Sequence, residues 1–401
     1  LLAFGAPVIA PSATNQKLLS DNWLGLVNTF SPPSVDVETK QLALMGGNTR
    51  NLSYQYKGAE TVSGGSLDIS LNNGSWLYYA LGKVTTLGAT NNSTDWTAST
   101  SDKFVANATT FGLVRVPETN IEYPPLSTDA TDTDDAGNSL ANYNELASDS
   151  VLTYTFGESN GPSLPSFGLD VSYRKAGVAA TTAVDNLAPH ENMYSRIFTG
   201  CQVNTLTLNF EEGQELKTSL DLVTRRAYDV VTDGTTDYIP HNGVLTPSGL
   251  KNFSATASDN YPFMFSDGAL KVFGQTYARV KSGSITINNN ITPQRFIGNT
   301  SRQVMNEHIP AQRTYEVSMV VLITDTTLWD ELRKETESTG DIELHFSKSG
   351  DNFIKLALRD YVIQTVDIPF PEDKGAIEAT FTASARTLVN AQYKGKWALM
   401  H

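Results

Sequence analysis

The chain has 401 residues, a formal net charge of −14 and one cysteine. A protein that grips nucleic acid needs basic patches that displace counterions from phosphates, but the longest basic runs here are pairs such as Arg225-Arg226 and Arg333-Lys334. Tight nucleic-acid binding is therefore disfavoured, an intrachain disulfide framework is excluded, and no apolar run approaches the roughly 20 residues that a membrane span needs.

Charged residues make up 18% of the chain, below the usual ~25%, and Thr, Ser, Asn and Gly fill the gap. This mixture favours strands and turns over long helices. We therefore predict a mainly β fold. The apolar segment at residues 1–10 is short and lacks a basic start, so residues 1–30 are interpreted as an N-terminal arm and not as a signal peptide.

A first folding unit is predicted over residues 31–228. Alternation of apolar and polar residues, typical of half-buried strands, is clearest at residues 203–210. A short helix that carries a tryptophan is predicted at residues 76–81. The acidic turn Glu211-Glu212-Gly213 precedes a further alternating segment at residues 216–223, which predicts a hairpin.

Two segments of this unit, residues 88–150 and 175–193, are rich in polar residues and are interpreted as insertions. Residues 229–258 contain the turn signals Asp233-Gly234 and Asn242-Gly243 and are interpreted as a linker. Such segments lie on surfaces, because their backbone polar groups need water or neighbours as hydrogen-bond partners.

A second unit is predicted over residues 259–395, with a C-terminal tail at residues 396–401. Its strands are expected at residues 284–287, 362–370 and 376–383. A helix is expected at residues 328–334, where Asp325, Thr326 or Thr327 could act as the N-cap.

The order of predicted elements in the first unit recurs in the second, which indicates an internal duplication. Each single match is weak, because identity is low and β-rich domains share a general alternation, so the hypothesis depends on shared order and spacing. The matched segments are residues 34–37 with 284–287, 67–71 with 317–322, Trp76 with Trp329, 152–156 with 342–346, 167–174 with 353–359, and 203–212 with 363–372, the last without a gap.

No catalytic, cofactor or metal site is predicted, and the chain is not expected to be an enzyme. The five histidines are scattered, and no pair has the spacing of metal ligands. Acidic pairs at residues 211–212 and 372–373 are interpreted as solvated turn residues, since an acid/base pair needs burial to separate its two pKa values. Cys201 is interpreted as a buried apolar residue, and Trp76 as the anchor of its helix on a sheet.

One acidic loop leaves a question open. Asp132-Thr133-Asp134 resembles the start of a calcium-binding loop, but the twelfth position of such a loop is Tyr143. A solvated acidic loop is the preferred interpretation, and whether Asp132 and Asp134 bind a cation stays open.

Three stretches resemble the tail tube proteins of long-tailed, siphovirus-like viruses. Residues 199–213 resemble the family's G-x-x-V-N-S-L-T-L strand, which leads into an acidic hairpin. Residues 282–291 resemble its S-x-T-I-N-N-N strand, and the third stretch is residues 314–322 followed by Leu328-Trp329-Asp330-Glu331-Leu332. The insertion at residues 88–150 departs from the family's usual plan.

The resemblance implies a structural protein of the virion tail with two tandem β-sandwich or small-barrel units, each with a short flanking helix. In such proteins six units close a ring with a continuous inner barrel. A duplicated chain is therefore expected to form trimeric, pseudo-sixfold rings, with hexameric rings as the alternative. Loops at residues 45–64 and 294–313 are expected to join stacked rings.

The resemblance also implies partners but no cofactor and no membrane. Expected partners are further copies of the chain and the tail terminator, tape measure and tail tip proteins, while viral DNA passes through the lumen without tight binding. Two alternatives stay open at this point. A baseplate or cell-surface module shares the composition, and a carbohydrate-active enzyme would need two buried carboxylates at a defined separation, which the sequence does not indicate.

Overall fold

The fold is mainly β, as predicted, and its strands pair in antiparallel fashion. A computed structural model describes residues 2–5, 22–23, 26–42, 54–87, 151–159, 164–174, 193–229, 261–272, 275–277, 279–294, 307–322, 330, 333–334, 337–338, 340–369 and 377–396. The strands and the helix of the first part are β1 (Leu2–Gly5), β2 (Asn22–Trp23), β3 (Leu26–Ser31), β4 (Ser34–Leu42), β5 (Tyr54–Ser63), β6 (Ser66–Ser70), α1 (Ser75–Leu81), β7 (Gly82–Leu87), β8 (Val151–Glu158), β9 (Phe167–Arg174), β10 (Met193–Glu211), β11 (Lys217–Val223) and β12 (Arg226–Asp229).

The second part begins with a 3-10 helix (Phe265–Asp267). Its strands are β13 (Gly268–Val272), β14 (Gln275–Tyr277), β15 (Val280–Asn288), β16 (Thr292–Gln294), β17 (Glu307–Ile309), β18 (Thr314–Leu322), β19 (Ile342–Ser349), β20 (Asn352–Asp367) and β21 (Glu378–Lys396). Helix α1 confirms the helix predicted at residues 76–81. Of the helix predicted at residues 328–334, the described part contains one helical residue, Asp330.

Eight strands form one antiparallel sheet, called the central sheet below, in the order β3–β6–β11–β10–β15–β18–β21–β20. Only parts of the three longest strands belong to it, namely residues 202–211 of β10, 378–385 of β21 and 361–367 of β20. The central sheet therefore contains strands from both halves of the chain.

The other parts of the long strands join two flanking sheets. The first runs β2–β1–β9–β10–β12, and the second runs β14–β13–β19–β20–β21–β8–β7. Aromatic contacts join the layers: the rings of Phe210 and Phe346 lie 6.1 Å apart, and Trp76 of α1 packs edge-on against Phe167 at 5.7 Å. Two hairpins, β4–β5 and β16–β17, pair only with themselves among the described residues.

The same order of pairings occurs in both halves. β1 pairs with β9 and β9 with β10, just as β13 pairs with β19 and β19 with β20. The bulges coincide as well: one interrupts β10–β11 between Val203 and Thr205, and its counterpart interrupts β20–β21 between Ile363 and Thr365. The gap-free match of residues 203–212 with 363–372 agrees with this register, as far as the described residues extend.

A second pair of bulges fixes the equivalence of the strands that open each half. The β3–β6 ladder is interrupted between Val27 and Thr29, and the β15–β18 ladder between Val280 and Ser282. Thr29 is therefore equivalent to Ser282. The predicted match of residues 34–37 with 284–287 was wrong by three positions, because Ser34 is equivalent to Ile287 and not to Ser284.

Two further predicted matches are wrong. Residues 167–174 (β9) occupy the place of β19 and not of residues 353–359, since β9 pairs with β10 as β19 pairs with β20. Residues 152–156 lie in β8, which forms an additional hairpin with β7 and adds to β21. This hairpin flanks the predicted insertion at residues 88–150. The domain boundaries themselves stay a prediction; the predicted arm includes β1, which is paired with β9, and most of β3, which is paired with β6.

Candidate assembly surfaces

The central sheet has one apolar and one polar face, because successive side chains of a strand point to opposite sides. On β10, Leu206, Leu208 and Phe210 are buried, whereas Thr205, Thr207 and Asn209 lie on the other face. Serine and threonine dominate the polar face from strand to strand. One cross-strand row runs Thr29, Asp68, Ser219, Thr207, Thr286, Glu316 and Ser384.

Acidic side chains outnumber basic ones on this polar face. Cross-strand pairing places six carboxylates and one lysine there, namely Asp68, Glu211, Asp221, Glu316, Asp367, Glu378 and Lys217. A second lysine, Lys281, lies at the β15 bulge between Val280 and Ser282. Lys281 and Glu378 form an ion pair. Hydrogen bonds from Ser219 and Thr29 hold the pKa of Asp68 below its ordinary value, so this carboxylate stays charged.

A ladder between β10 and β15 joins the first half of the chain to the second. It extends over seven residue pairs, from Thr205 opposite Asn288 to Glu211 opposite Ser282. Apolar residues face each other at Leu206–Ile287 and Leu208–Ile285, and the hydroxyls of Thr207 and Thr286 are 3.1 Å apart on the polar face. This ladder makes the central sheet continuous across the two halves.

A polar cluster, called the clamp below, lies at one end of this ladder. The Nδ2 of buried Asn289 donates hydrogen bonds to the carbonyl oxygens of Ala80 at 3.0 Å and Val203 at 2.9 Å. Its Oδ1 accepts a 2.7 Å hydrogen bond from Nε of Arg313. The Nη2 of Arg313 lies 3.4 Å and 3.3 Å from the carbonyl oxygens of Ala80 and Leu81. A cation is favourable there, because the last carbonyls of a helix have no partner within it.

The clamp continues toward the β7–β8 hairpin. Nη1 of Arg313 lies 3.9 Å from the carboxylate of Glu158, which also accepts a hydrogen bond from the hydroxyl of Tyr315. Burial, reinforced by the bond to Glu158, raises the pKa of the Tyr315 hydroxyl well above its usual range. Sequence reasoning did not identify this cluster, although the Asn288-Asn289-Asn290 run was part of the family resemblance.

The central sheet ends in two strands that have a neighbour on one side only among the described residues. β3 pairs with β6, and residues 363–367 of β20 pair with β21. Val366 and Ile368 on the second edge are half-buried. Their equivalents in β10, Leu206 and Leu208, are 1% and 4% exposed, because β15 covers them.

The buried pair His308–Gln202 connects β17 to β10. Nε2 of Gln202 donates to the carbonyl oxygen of Leu164 at 2.7 Å, so its Oε1 faces Nδ1 of His308 at 3.1 Å and that ring nitrogen carries the hydrogen. The other ring nitrogen, Nε2, is buried with no hydrogen-bond partner among the described residues. Burial, together with the nearby Arg225 guanidinium, lowers the pKa of His308 to about 4.

The remaining residues singled out in the sequence have structural surroundings. Cys201 is fully buried beside the hydroxyl of Thr224 at 3.6 Å, and burial raises its pKa to about 12. Its interpretation as a buried apolar residue is confirmed, as is that of Trp76 as a helix anchor.

Glu211 and Glu212 are exposed at a hairpin turn whose Gly213 has φ of 75°. Asp132, Asp134, residues 372–373, His190, His241 and His401 lie outside the described residues.

Two negative findings apply to the described part of the chain. It contains no group of three or more His, Cys, Asp or Glu side chains arranged to hold a metal ion. The helices found there are also too short or too polar to cross a membrane.

Among known proteins, a family model matches nearly the whole chain, whereas the solved structures below match about a third of it. A family model described as "Phage tail tube protein" matches residues 4–385. Among solved structures, "Virion of native gene transfer agent (GTA) particle" matches with 12% identity and a TM-score of 0.24, covering 31% of this chain and 95% of that chain. "Tail of empty GTA particle computed with helical refinement, C6 symmetry" matches with 11% identity and a TM-score of 0.22, covering 30% and 90%. No curated protein matches the chain.

Proposed function

We propose that three copies of this chain, which belongs to the phage tail tube protein family, close one ring of a hollow virion tail tube. The family makes it a structural protein of the virion tail, as the resemblance of residues 199–213 predicted. The observation that carries the trimer is the β10–β15 ladder, which joins two equivalent sets of strands within one chain. Three such chains supply six units.

Ring closure gives the two edges of the central sheet a partner. An open edge of unpaired N–H and C=O groups is a template for uncontrolled pairing, and proteins cover or pair such edges. In the proposed ring, residues 365–369 of one chain lie beside residues 31–35 of the next, as residues 205–209 lie beside residues 284–288 within the chain. Cyclic closure leaves no edge free for sideways aggregation.

The polar face of the central sheet is proposed to line the lumen. Its serine and threonine hydroxyls are polar but uncharged, and its six carboxylates outnumber its lysines. Such a wall repels the phosphate backbone of DNA that slides past it.

The hairpins β4–β5 and β16–β17 are proposed to contact the next ring. The tail terminator, tape measure and tail tip proteins are proposed to bind at the ends of the tube and in its lumen.

Native mass spectrometry and negative-stain microscopy of the purified chain test the proposal. The expected results are a species with the mass of three 43.6 kDa chains and end-on views with six similar lobes around a hole. A hexamer would replace the trimer with the alternative ring. A protein that stays monomeric at every concentration would refute the tube.

A further inference from the structure

We infer that neighbouring chains are joined by a charge pair between Asp36 of one chain and Arg333 of the next, at the position that the Asn289–Arg313 clamp occupies within the chain. This inference rests on the proposed ring. The junction between neighbouring chains is called the seam below. It differs chemically from the β10–β15 junction inside the chain.

The bulge positions identify which residues stand where the clamp stands. Val35 pairs with Val62 in β4–β5 and is equivalent to Asn288, which pairs with Thr314 in β15–β18. The next position places Asp36 at the equivalent of Asn289 and its partner Thr61 at that of Arg313. The seam therefore has an acid in place of the clamp's amide, and a threonine in place of its cation.

The helix side of the seam has the complementary change. The predicted match of Trp76 with Trp329, which lies outside the described residues, aligns Arg333 with Ala80, whose carbonyl oxygen the clamp binds. Inside the chain the cation comes from the strand and meets the helix end. At the seam the cation, Arg333, lies in a turn of the segment that matches α1, and the anion, Asp36, lies on the strand side.

Both side chains are available for this contact. Asp36 and Arg333 are exposed in the single chain and have no ion-pair partner among its described residues. Opposite charges on facing surfaces fix register and speed association, whereas like charges disfavour it. The internal junction is the template that brings these two positions together.

Prolines make this charge pair relatively more important at the seam. Pro32 and Pro33 stand at the equivalents of Ile285 and Thr286, and Pro369 stands at the equivalent of Asn209. Proline donates no main-chain hydrogen bond. The seam therefore has a weaker ladder than the β10–β15 junction, and side chains must supply more of its stability.

Charge reversal with a charge swap tests the inference. Asp36→Lys and Arg333→Glu should each raise the concentration at which half the protein is in rings by roughly tenfold. The double variant D36K/R333E should restore assembly to within about threefold of the parent. Glu38→Lys, the same charge change two residues further along β4, is the control; it removes the exposed ion pair of Glu38 with Lys40 but should have little effect on ring formation. Ring fraction is measured by native mass spectrometry, and a thermal melt of each monomer confirms folding.

The outcomes separate the inference from the proposed function. Two impaired single variants with recovery in the swap support the charge pair, and the defect of each should also shrink at high salt. Rings that form normally in D36K and R333E, or a swap that adds the two defects, would overturn the charge pair while leaving the tube intact. A parent chain that forms no rings at all would overturn both.

Discussion

Asn289 donates a side-chain hydrogen bond of 3.0 Å to the carbonyl oxygen of Ala80, which precedes it by 209 residues. The bond ties the first turn after β15 to the end of helix α1. Arg313 completes the contact by donating to Asn289 and to the same helix end. The two halves of the chain are thus joined by side chains as well as by the β10–β15 ladder.

The first prediction concerns the clamp. Asn289→Ala removes two donors and leaves the carbonyl oxygens of Ala80 and Val203 without their side-chain partner. Leaving buried polar groups unsatisfied costs roughly 1–3 kcal/mol each. We expect the free energy of unfolding, measured by urea denaturation, to fall by about 2 kcal/mol or more. Asn209→Ala, on the polar face of the same sheet, is the control and should stay within about 0.5 kcal/mol of the parent.

The second prediction is a pH dependence at His308. Its folded-state pKa of about 4 lies below the unfolded value of about 6.5, so the unfolded chain takes up the proton first as pH falls. The stabilisation is fully present above pH ~6.5 and is lost as the pH falls toward 4. Relative to His308→Gln, the parent should lose up to about 1.4 kcal/mol per pH unit in this window.

His345→Gln is the matched control for that experiment. The pKa of His345 is also lowered, chiefly by burial, but its ring is not tied to the Gln202–Leu164 chain of hydrogen bonds. It should keep most of the parent's slope between pH 6.5 and 4. Equal slopes for the parent and His308→Gln would show that folding does not lower the pKa of His308.

The third prediction concerns Gly283 in β15. A Cβ at this position would lie 2.6 Å from the ring of Phe210 and 2.8 Å from the carbonyl oxygen of Ser318. Overpacking of this kind costs about 1–3 kcal/mol, so Gly283→Ala should lower the denaturation midpoint. Adding Phe210→Leu should recover part of the loss. Gly157→Ala in β8 is the control, because a Cβ there meets nothing within 4 Å; equal losses at the two glycines would contradict the steric account.

Local pattern was sufficient to predict strands and their repeated order where both halves keep the same alternation. Val203 and Ile363 were matched correctly because each begins a run of alternating residues with the same bulge beside it. Residues 152–156 were matched wrongly with 342–346 for a related reason. Alternation alone does not say which strand a segment pairs with, and β8 pairs with β21, more than 230 residues later.

The candidate surfaces depended even more on distant contacts. The polar residues of β10 and β15 were visible in the sequence as alternating Thr, Ser and Asn, so a sheet with one polar, solvent-exposed face could be predicted. The role of Asn289 could not, because it depends on Ala80 and Arg313 meeting it from two other elements. A run of three asparagines indicates only a turn or a polar end of a strand.

The last prediction concerns the acidity of the polar face. Glu316 and Asp221 are exposed there, so reversing their charge should cost little folding energy. In the proposed tube, Glu316→Lys with Asp221→Lys should assemble normally but slow the exit of DNA, because lysines attract the phosphate backbone. Rates of genome release from virions that carry each variant provide the measurement, with Glu316→Gln and Asp221→Gln as the neutral control. The delay should shorten as salt is raised, since screening weakens the attraction. Release at the parental rate, with tubes intact, would mean that these acids do not face the passing DNA.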